Sequence, residues 1–217
     1  MARSEEIIRE RYKVMAPRII KALNQRNFEA YFCETSQEAV ECALSLIPEG
    51  ASVSWGGSMT LDETGIKEQL KKGNYQLLDR DLAKSQEERQ AIMRQVFSCD
   101  VYLSSVNAMS EDGVMVNIDG MGNRISAIAF GPKAVILVVG MNKVCRDLES
   151  ARKRAHTYAA PNNAIRLGLE LPCTKTGCCF DCNNNNARSI CAQIVEMHSN
   201  MIPGRIKVIL VGENLGL

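Results

Sequence analysis

The chain has 217 residues, of which 46% are hydrophobic and 24% are charged, the composition of an ordinary globular protein. This composition excludes a disordered, fibrous or coiled-coil chain. The 26 basic and 25 acidic residues leave a net charge of +1, which provides no long-range field to attract nucleic acid or anionic lipid. We therefore expect no nucleic-acid partner.

The first residues and the apolar runs bear on cellular location. Residues 1–6 lead into a charged amphipathic segment without the apolar core of an export signal. The longest apolar run, Ala134 to Val139, is much shorter than the roughly 20 residues of a membrane helix. The sequence thus predicts a soluble, cytoplasmic protein without membrane insertion.

The first part of the chain predicts a helix, a strand and a second helix. Apolar residues at three- and four-residue steps from Ile8 to Leu23 predict a long first helix after a possible cap at Ser4. A strand over Phe28–Cys33 follows, and Thr35 with Glu38 forms a capping box that opens the next helix.

The rest of the chain continues to alternate between strands and helices. In chain order we predict a strand over Ala51–Trp55, a helix through Leu61, Gly65, Ile66 and Leu70, a strand over Tyr75–Leu78, a helix over Asp81–Val96 with Leu82 facing inward, strands over Asp100–Ser104, Gly113–Asp119 and Ala134–Val139, helices over Asn142–Ala155 and Asn186–Met197, and a strand over Arg205–Val211.

This alternation defines a fold class. The strand over Ala134–Val139 is apolar throughout, as expected of a central strand that is buried on both faces. The pattern predicts an α/β fold with a mainly parallel sheet covered on both sides. No repeat or linker divides the chain, so we expect one domain over residues 1–217.

A glycine motif, Trp55-Gly56-Gly57-Ser58, lies between a predicted strand and a predicted helix. Glycines allow close approach of the backbone to a ligand, and a helix start offers free N–H groups to a carboxylate or phosphate. The alternative is a tight turn in which Ser58 or Thr60 caps the helix. The motif lacks the G-x-G-x-x-G spacing of a dinucleotide site, and we see no flavin or NAD motif.

A second group of polar residues follows the strand that ends at Ser104. Open α/β sheets form ligand crevices where parallel strands end. The alternative is a pair of turns around a hairpin strand, because Asp, Asn and Gly are ordinary turn residues. The candidate ligand-binding or catalytic side chains are Asn107, Glu111, Asp112, Asn117, Asp119 and Asn123.

The nine cysteines are odd in number and accompany no export signal, so reduced thiols or metal ligands are expected instead of disulfides. Four are scattered and predicted to be inert: Cys33, Cys42, Cys99 and Cys145. Five lie within residues 173–191, where clustered thiols indicate a soft metal. The single two-residue spacing Cys179-x-x-Cys182 favours a [4Fe–4S] cluster, with zinc as the alternative.

Six short motifs occur in a fixed order along the chain. They are Trp55-Gly-Gly-Ser-x-Thr-Leu, Asn107-Ala-x-x-Glu-Asp-Gly, Asn117-x-Asp-Gly-x-Gly-Asn-Arg124, Gly131-Pro-Lys, Val139-Gly-x-Asn-Lys143 and Ala160-Pro-Asn. Together they resemble the LUD domain, the lactate-utilisation family of the LutC and YkgG type. The resemblance runs from about Thr35 to Gly216 and is closest to a short branch with a tail of the form Pro-Cys-x5-Cys-x2-Cys-x8-Cys.

The resemblance implies a three-layer α/β/α fold similar to ribose-phosphate isomerases, glucosamine-phosphate deaminases (NagB/RpiA) and CoA transferases. In CoA transferases a glutamate attacks the thioester, and Glu111 lies in a comparable Ser-Glu-Asp-Gly turn. In the cysteine-rich tail the resemblance makes Cys178 an additional thiol. The metal ligands that it implies are Cys173, Cys179, Cys182 and Cys191.

Two functions are consistent with these observations. The first is a role in oxidising lactate or a similar 2-hydroxy acid, with an iron–sulfur cluster as a redox or structural element and a redox protein as partner. The second is an enzyme that acts on a small sugar phosphate or acyl-CoA through Glu111 or Asp112, with a structural metal. For either function we predict one pocket for an organic anion, lined by Gly56, Gly57, Ser58, Asn107, Glu111, Asn117 and Asn123.

Overall fold

The computed structural model describes residues 3–185 and 187–217, in which nine α-helices and ten strands are found. The helices are α1 (Arg3–Gln25), α2 (Ser36–Ser45), α3 (Met59–Glu63), α4 (Ile66–Lys72), α5 (Gln86–Gln95), α6 (Asn123–Ala129), α7 (Leu148–Arg154), α8 (Ala160–Arg166) and α9 (Pro172–Thr176). The strands are β1 (Glu29–Cys33), β2 (Ser52–Trp55), β3 (Gln76–Leu78), β4 (Val101–Ser104), β5 (Ala108–Ser110), β6 (Met115–Asp119), β7 (Ala134–Gly140), β8 (Val144–Cys145), β9 (Gln193–Met197) and β10 (Ile206–Val211).

The main sheet has six strands in the order β1-β10-β7-β4-β2-β3, and every neighbouring pair is parallel. The central pairs are in register through Leu137, which lies opposite Val208 on one side and Ser104 on the other. The predicted mainly parallel sheet is thus confirmed. Among the described helices, none is both long and apolar enough to cross a membrane.

Alternate side chains of the central strands enter two separate cores. In β7, Val135, Leu137 and Val139 pack in the core that contains α1 and α6. Ile136 and Val138 point to the opposite face, into the core that contains α2, α3 and α4. The period of two along a strand therefore explains why this run is apolar throughout, and helices on both faces give the three layers.

A smaller sheet, in the order β8-β5-β6-β9, extends from the end of the main sheet at which its strands finish. β5 follows β4 and β8 follows β7, so both enter it from the carboxyl ends of central strands. The predicted strand over Gly113–Asp119 belongs here, antiparallel to β5, and it begins only at Met115. Gly113 instead closes a turn: its φ is +90° and its N–H donates to the Ser110 carbonyl at 2.9 Å.

The predicted helix through Leu61 and Leu70 is two helices in the structure. Gly65 separates α3 from α4 with a left-handed φ of +73°. Its N–H donates to the Asp62 carbonyl at 3.1 Å, so the helical hydrogen-bond ladder ends there. The spacing of the apolar residues spans the break, which is why periodicity alone did not reveal it.

The predicted helix over Asp81–Val96 is shorter than expected. Ser85 caps α5 by accepting from the Glu88 N–H at 3.1 Å, and a short 3₁₀ turn over Arg80–Leu82 precedes it. Leu82 is 73% exposed, so the prediction that it faces inward is wrong.

Two further predicted helices differ from the structure. In the segment over Asn142–Ala155, β8 comes first, and α7 begins after Asp147, whose carboxylate accepts from the Ser150 N–H at 2.8 Å. In the segment over Asn186–Met197, residue 186 lies outside the described residues, and Gln193–Met197 is strand β9. β9 pairs with β6, so a long-range partner overrides its helical periodicity.

Candidate functional site: a cationic cavity beside a cysteine-lined cavity

A cavity of about 450 Å³ opens at the carboxyl edge of the main sheet. The loops that follow β2, β4 and β7 contribute to it, because parallel strands bring the segments after their carboxyl ends to the same edge. α6, α8 and the short turn before α5 complete its walls. This edge is where the sequence predicted a ligand site.

The structure brings several predicted residues together and places two of them behind the wall. Gly57, Ser58, Asn107 and Asn123 line the cavity. Gly56 does not line it; a Cβ there would lie 2.8 Å from the Tyr102 hydroxyl.

The glycine motif has a structural role and a role at the cavity. Ser58 caps α3 by accepting from the Leu61 N–H at 3.4 Å, which is the turn-and-cap alternative. A Cβ at Gly57 would lie 3.2 Å from Nη2 of Arg80 and 3.6 Å from Nη2 of Arg166. The missing side chain at Gly57 therefore leaves two guanidinium groups open to the cavity.

Positive charge dominates the lining. Asp119 is the acidic side chain among the lining residues, and it is already engaged by Arg124 at 3.6 Å and by the N–H groups of Gly122 and Ile125. The cationic side chains that line the cavity are Arg80, Arg89, Arg124, Lys143 and Arg166.

Sequence reasoning assigned no role to these five cations. Two of them, Arg124 and Lys143, ended motifs that carried the family resemblance, which was the available signal. The other three come from α8, α5 and the turn before α5, and only the folded chain brings them to one edge.

Arg124 is fixed by four acceptors. Its guanidinium donates to the side-chain oxygens of Asn107 and Asn117, each at 2.8 Å, and to the carbonyls of Ser105 at 3.2 Å and Ile118 at 2.7 Å. Burial lowers the pKa of Arg124, and Asp119 acts in the opposite direction. The two predicted asparagines thus position a cation. Among the buried side-chain atoms described, Asn117 Nδ2 has no hydrogen-bond partner.

Lys143 is buried, with 3% of its surface exposed, and its amine reaches the cavity. Nζ lies 2.8 Å from the Thr60 hydroxyl and 3.1 Å from the Ser105 hydroxyl. Burial, followed by the charges of Arg154 and Arg124, lowers the pKa of Lys143 to about 7. This is a nearly neutral amine at physiological pH.

The two carboxylates predicted to be catalytic lie elsewhere. Glu111 and Asp112 belong to the turn between β5 and β6 and do not line the cavity. Glu111 pairs with Arg18 at 2.5 Å and Asp112 pairs with Arg26 at 2.7 Å, both on or next to α1. These ion pairs hold both carboxylates against α1, so a catalytic role at the cavity has no geometric support.

A second, smaller cavity is lined by the four cysteines that the family pattern names, together with His156. Cys178 is exposed and is not part of this lining. Burial raises the pKa of Cys173 and of Cys191, and the neighbouring thiols add to the shift. Ala160 and Ile190 line both cavities, so the two are adjacent.

The donor set of the smaller cavity fits a soft metal, because four thiols converge on it. In residues 3–185 and 187–217, however, no group of three or more His, Cys, Asp or Glu stands in a metal-binding arrangement.

Fold and site together define a three-layer α/β protein with a cationic cavity at the carboxyl edge of a parallel sheet. The family model of the LUD domain matches residues 16–211, and the chain belongs to the LUD domain family. At the level of the family this connects it with lactate utilisation. No curated protein matches the chain in sequence.

Solved structures show a likeness of fold. A DUF162 family protein from Deinococcus radiodurans has 10% identity and a TM-score of 0.54, over 92% of this chain and 97% of that one. Ribose 5-phosphate isomerase A from Neisseria gonorrhoeae has 17% identity and a TM-score of 0.35, over 61% of this chain and 65% of that one. Ribose 5-phosphate isomerase A from Methanocaldococcus jannaschii has a TM-score of 0.34 at 14% identity, over 52% and 55%.

Proposed function

We propose that the protein binds a small organic anion in the cationic cavity, and that a 2-hydroxy acid such as lactate is the ligand class, in keeping with its family. The observation that carries the proposal is the convergence of five cationic side chains on one cavity with a single acidic side chain. Such a surplus of positive charge in a partly buried space attracts and holds an anion.

The cavity offers different groups to the two ends of such a ligand. Arg80 and Arg166 flank the open space at Gly57 and suit a carboxylate, since a guanidinium binds it in a bidentate manner. Ser105, Asn107 and the Lys143 amine lie deeper and offer hydrogen bonds to a hydroxyl. The proposal therefore places the carboxylate near Gly57 and the 2-hydroxyl near Lys143.

A phosphorylated ligand is the second candidate. The cavity of about 450 Å³ exceeds what a three-carbon acid needs, and several guanidiniums suit a phosphate as well as a carboxylate. The acyl-CoA alternative through Glu111 has less support, because that carboxylate pairs with Arg18.

Ligand-induced stabilisation tests anion binding. Purified protein is heated with L-lactate, glycolate, ribose 5-phosphate or inorganic phosphate, because a ligand that binds the folded state raises its melting temperature. Arg166→Gln and Arg89→Gln are expected to weaken the affinity about tenfold or more, a loss of roughly 1.4 kcal/mol or above. Arg94→Gln is the matched control, since Arg94 lies on α5 with Arg89 but does not line the cavity.

The outcomes separate the alternatives. A larger shift with the 2-hydroxy acids supports the first ligand class, and a larger shift with ribose 5-phosphate supports the second. If no anion raises the melting temperature, or if Arg94→Gln weakens binding as much as Arg89→Gln, the cavity is not the anion site.

The adjacent thiols carry the second part of the proposal, a [4Fe–4S] cluster held by Cys173, Cys179, Cys182 and Cys191. Support comes from the convergence of these four side chains on one cavity and from the exposure of Cys178 outside it. Zinc is the alternative for the same four thiolates. A bound cluster would supply one-electron transfer, and a redox protein partner would exchange electrons with it.

Anaerobic purification tests the metal. Brown protein that contains iron and sulfide supports the cluster, whereas colourless protein with stoichiometric zinc contradicts it. Cys179→Ser is expected to abolish binding of iron, and Cys178→Ser, the adjacent control, is expected to retain it. Equal loss in both variants would contradict the assignment of the ligands.

A further inference from the structure

We propose that Nζ of Lys143 is a nucleophile that forms an imine with an anionic carbonyl compound, of the 2-oxo acid class, held in the cationic cavity. The inference rests on the proposed binding of organic anions. It goes beyond that proposal because it names a second ligand class and a covalent step.

The position of the amine is set by three separate parts of the chain. Lys143 follows β7, Thr60 lies in α3, and Ser105 follows β4. The two hydroxyls hold Nζ at 2.8 and 3.1 Å. Because Lys143 also lines the cavity, the amine is held at a fixed point of its wall.

The partners of the amine suit its neutral form. A neutral amine has two N–H bonds and one lone pair, and the two hydroxyl oxygens can accept both N–H bonds. The lone pair then remains available for a carbonyl carbon. Among the described residues, no carboxylate lies within 4.0 Å of Nζ to stabilise the ammonium form.

The charged groups around the amine act in the same sense. Arg124 on α6 and Arg154 at the end of α7 are cationic neighbours, and Glu63 on α3 is the opposing charge. Arg154 is itself fixed, because its guanidinium donates to the carbonyls of Asn107 at 2.6 Å and Asn142 at 3.2 Å. A desolvated lysine beside other cations is an activated nucleophile near neutral pH.

The same cations would orient the substrate. The carboxylate of a 2-oxo acid binds Arg80 and Arg166, and its carbonyl carbon faces Nζ. The nitrogen lone pair forms a C–N bond, the carbonyl oxygen takes up protons and leaves as water, and a C=N bond to Lys143 remains. The step consumes one carbonyl compound, releases one water and changes no oxidation state.

Reductive trapping tests this step on the whole protein. The protein is incubated at pH 7.5 with pyruvate and sodium cyanoborohydride, which donates a hydride to an imine and makes the adduct permanent. Peptide mass spectrometry then locates the adduct. We expect modification at Lys143 about 100-fold faster than at Lys133, an exposed lysine that remains almost fully protonated at this pH.

Two controls make the result specific. Hydroxyacetone, a ketone without a carboxylate, is expected to label Lys143 at least about tenfold more slowly, because it lacks the group that the arginines bind. Lys143→Met is expected to lose the adduct. Its fold is checked by circular dichroism, although the mapping on the unmodified chain gives the answer even if this variant does not fold.

The outcomes distinguish the two proposals. Labelling at Lys143 that requires the carboxylate supports the imine. If pyruvate raises the melting temperature but Lys143 is labelled no faster than Lys133, the imine is refuted and anion binding stands. If no organic anion raises the melting temperature, the proposed function itself fails.

Discussion

Burial of the Lys143 amine imposes a free-energy cost that depends on pH. Its pKa is about 7 in the folded protein and 10.5 in the unfolded reference, so the unfolded state binds more protons between these values. The stability of the native chain therefore rises with pH across this window, and the cost is fully present below about pH 7.

Lys143→Met is expected to remove that cost. The variant should exceed the native chain in free energy of unfolding by up to about 4 kcal/mol at pH 7, and the difference should shrink towards pH 10.5. Urea unfolding at a series of pH values, followed by the fluorescence of the buried Trp55, measures the difference. Lys133→Met is the exposed control and should give a flat difference from pH 7 to pH 10; the same flat result for Lys143→Met would contradict the shift.

The two glycines after β2 differ in what an added methyl group would meet. At Gly57 a Cβ would lie 3.2 Å from Nη2 of Arg80, the end of a flexible side chain, and the fold should tolerate it. At Gly56 it would lie 2.8 Å from the hydroxyl of the buried Tyr102 and 3.3 Å from the Ser104 hydroxyl. One position belongs to the cavity and the other to the core behind it.

Gly57→Ala should therefore weaken anion affinity several-fold while changing stability by less than about 1 kcal/mol. Gly56→Ala should reduce stability by about 1 to 3 kcal/mol, as overpacking does. Calorimetric titration with the best anion and urea unfolding measure the two effects. The assignment fails if Gly57→Ala leaves the affinity of every bound anion unchanged.

At the scale of elements, α6 carries Asn123 and Arg124 into the cavity, and its end is held by a residue of the far strand. Arg205, just before β10, is buried, and its guanidinium donates to five backbone carbonyls at 2.8 to 3.3 Å. These carbonyls belong to Ala127, Ile128, Ala129, Phe130 and Pro132. The guanidinium thus caps α6 at the end where carbonyls lack helical partners.

Arg205→Lys should lose most of these bonds, because a lysine presents its donors at a single point and not as a planar fork. We expect a loss of about 2 to 4 kcal/mol in the free energy of unfolding. Arg94→Lys, on the exposed surface of α5, is the control and should change stability by less than about 0.5 kcal/mol. Equal stability of the two variants in urea unfolding would show that the buried cap contributes nothing.

At the scale of the whole molecule, the cysteine-lined cavity and the main sheet are separable. The two large cores consist mainly of residues outside 173–191, and α9 with the following loop forms a small cluster of its own around Ala164 and Leu171. Metal binding to four thiolates can contribute roughly 10 to 16 kcal/mol, enough to fold a small domain by itself. Here that contribution would act on one segment.

Removal of the metal by a chelator should therefore loosen residues 173–191 without unfolding the main sheet. Hydrogen exchange is expected to accelerate in that segment and in β9, which follows it, while β7 and β10 remain protected. Circular dichroism should lose only a small part of its signal. Cooperative loss of the whole signal on chelation would mean that the segment is part of the central core.

The sequence by itself determined the parallel sheet, the family and the edge at which a site is found. These follow from local information: an apolar run identifies a strand buried on both faces, and a parallel strand must release its chain at one edge. The tertiary structure alone decided which charges meet there. Arg80, Arg89 and Arg166 come from three different elements, and Glu111 is held at α1 by Arg18. The strand character of β9 likewise depends on its partner β6, since a short segment takes its conformation from the surface on which it pairs.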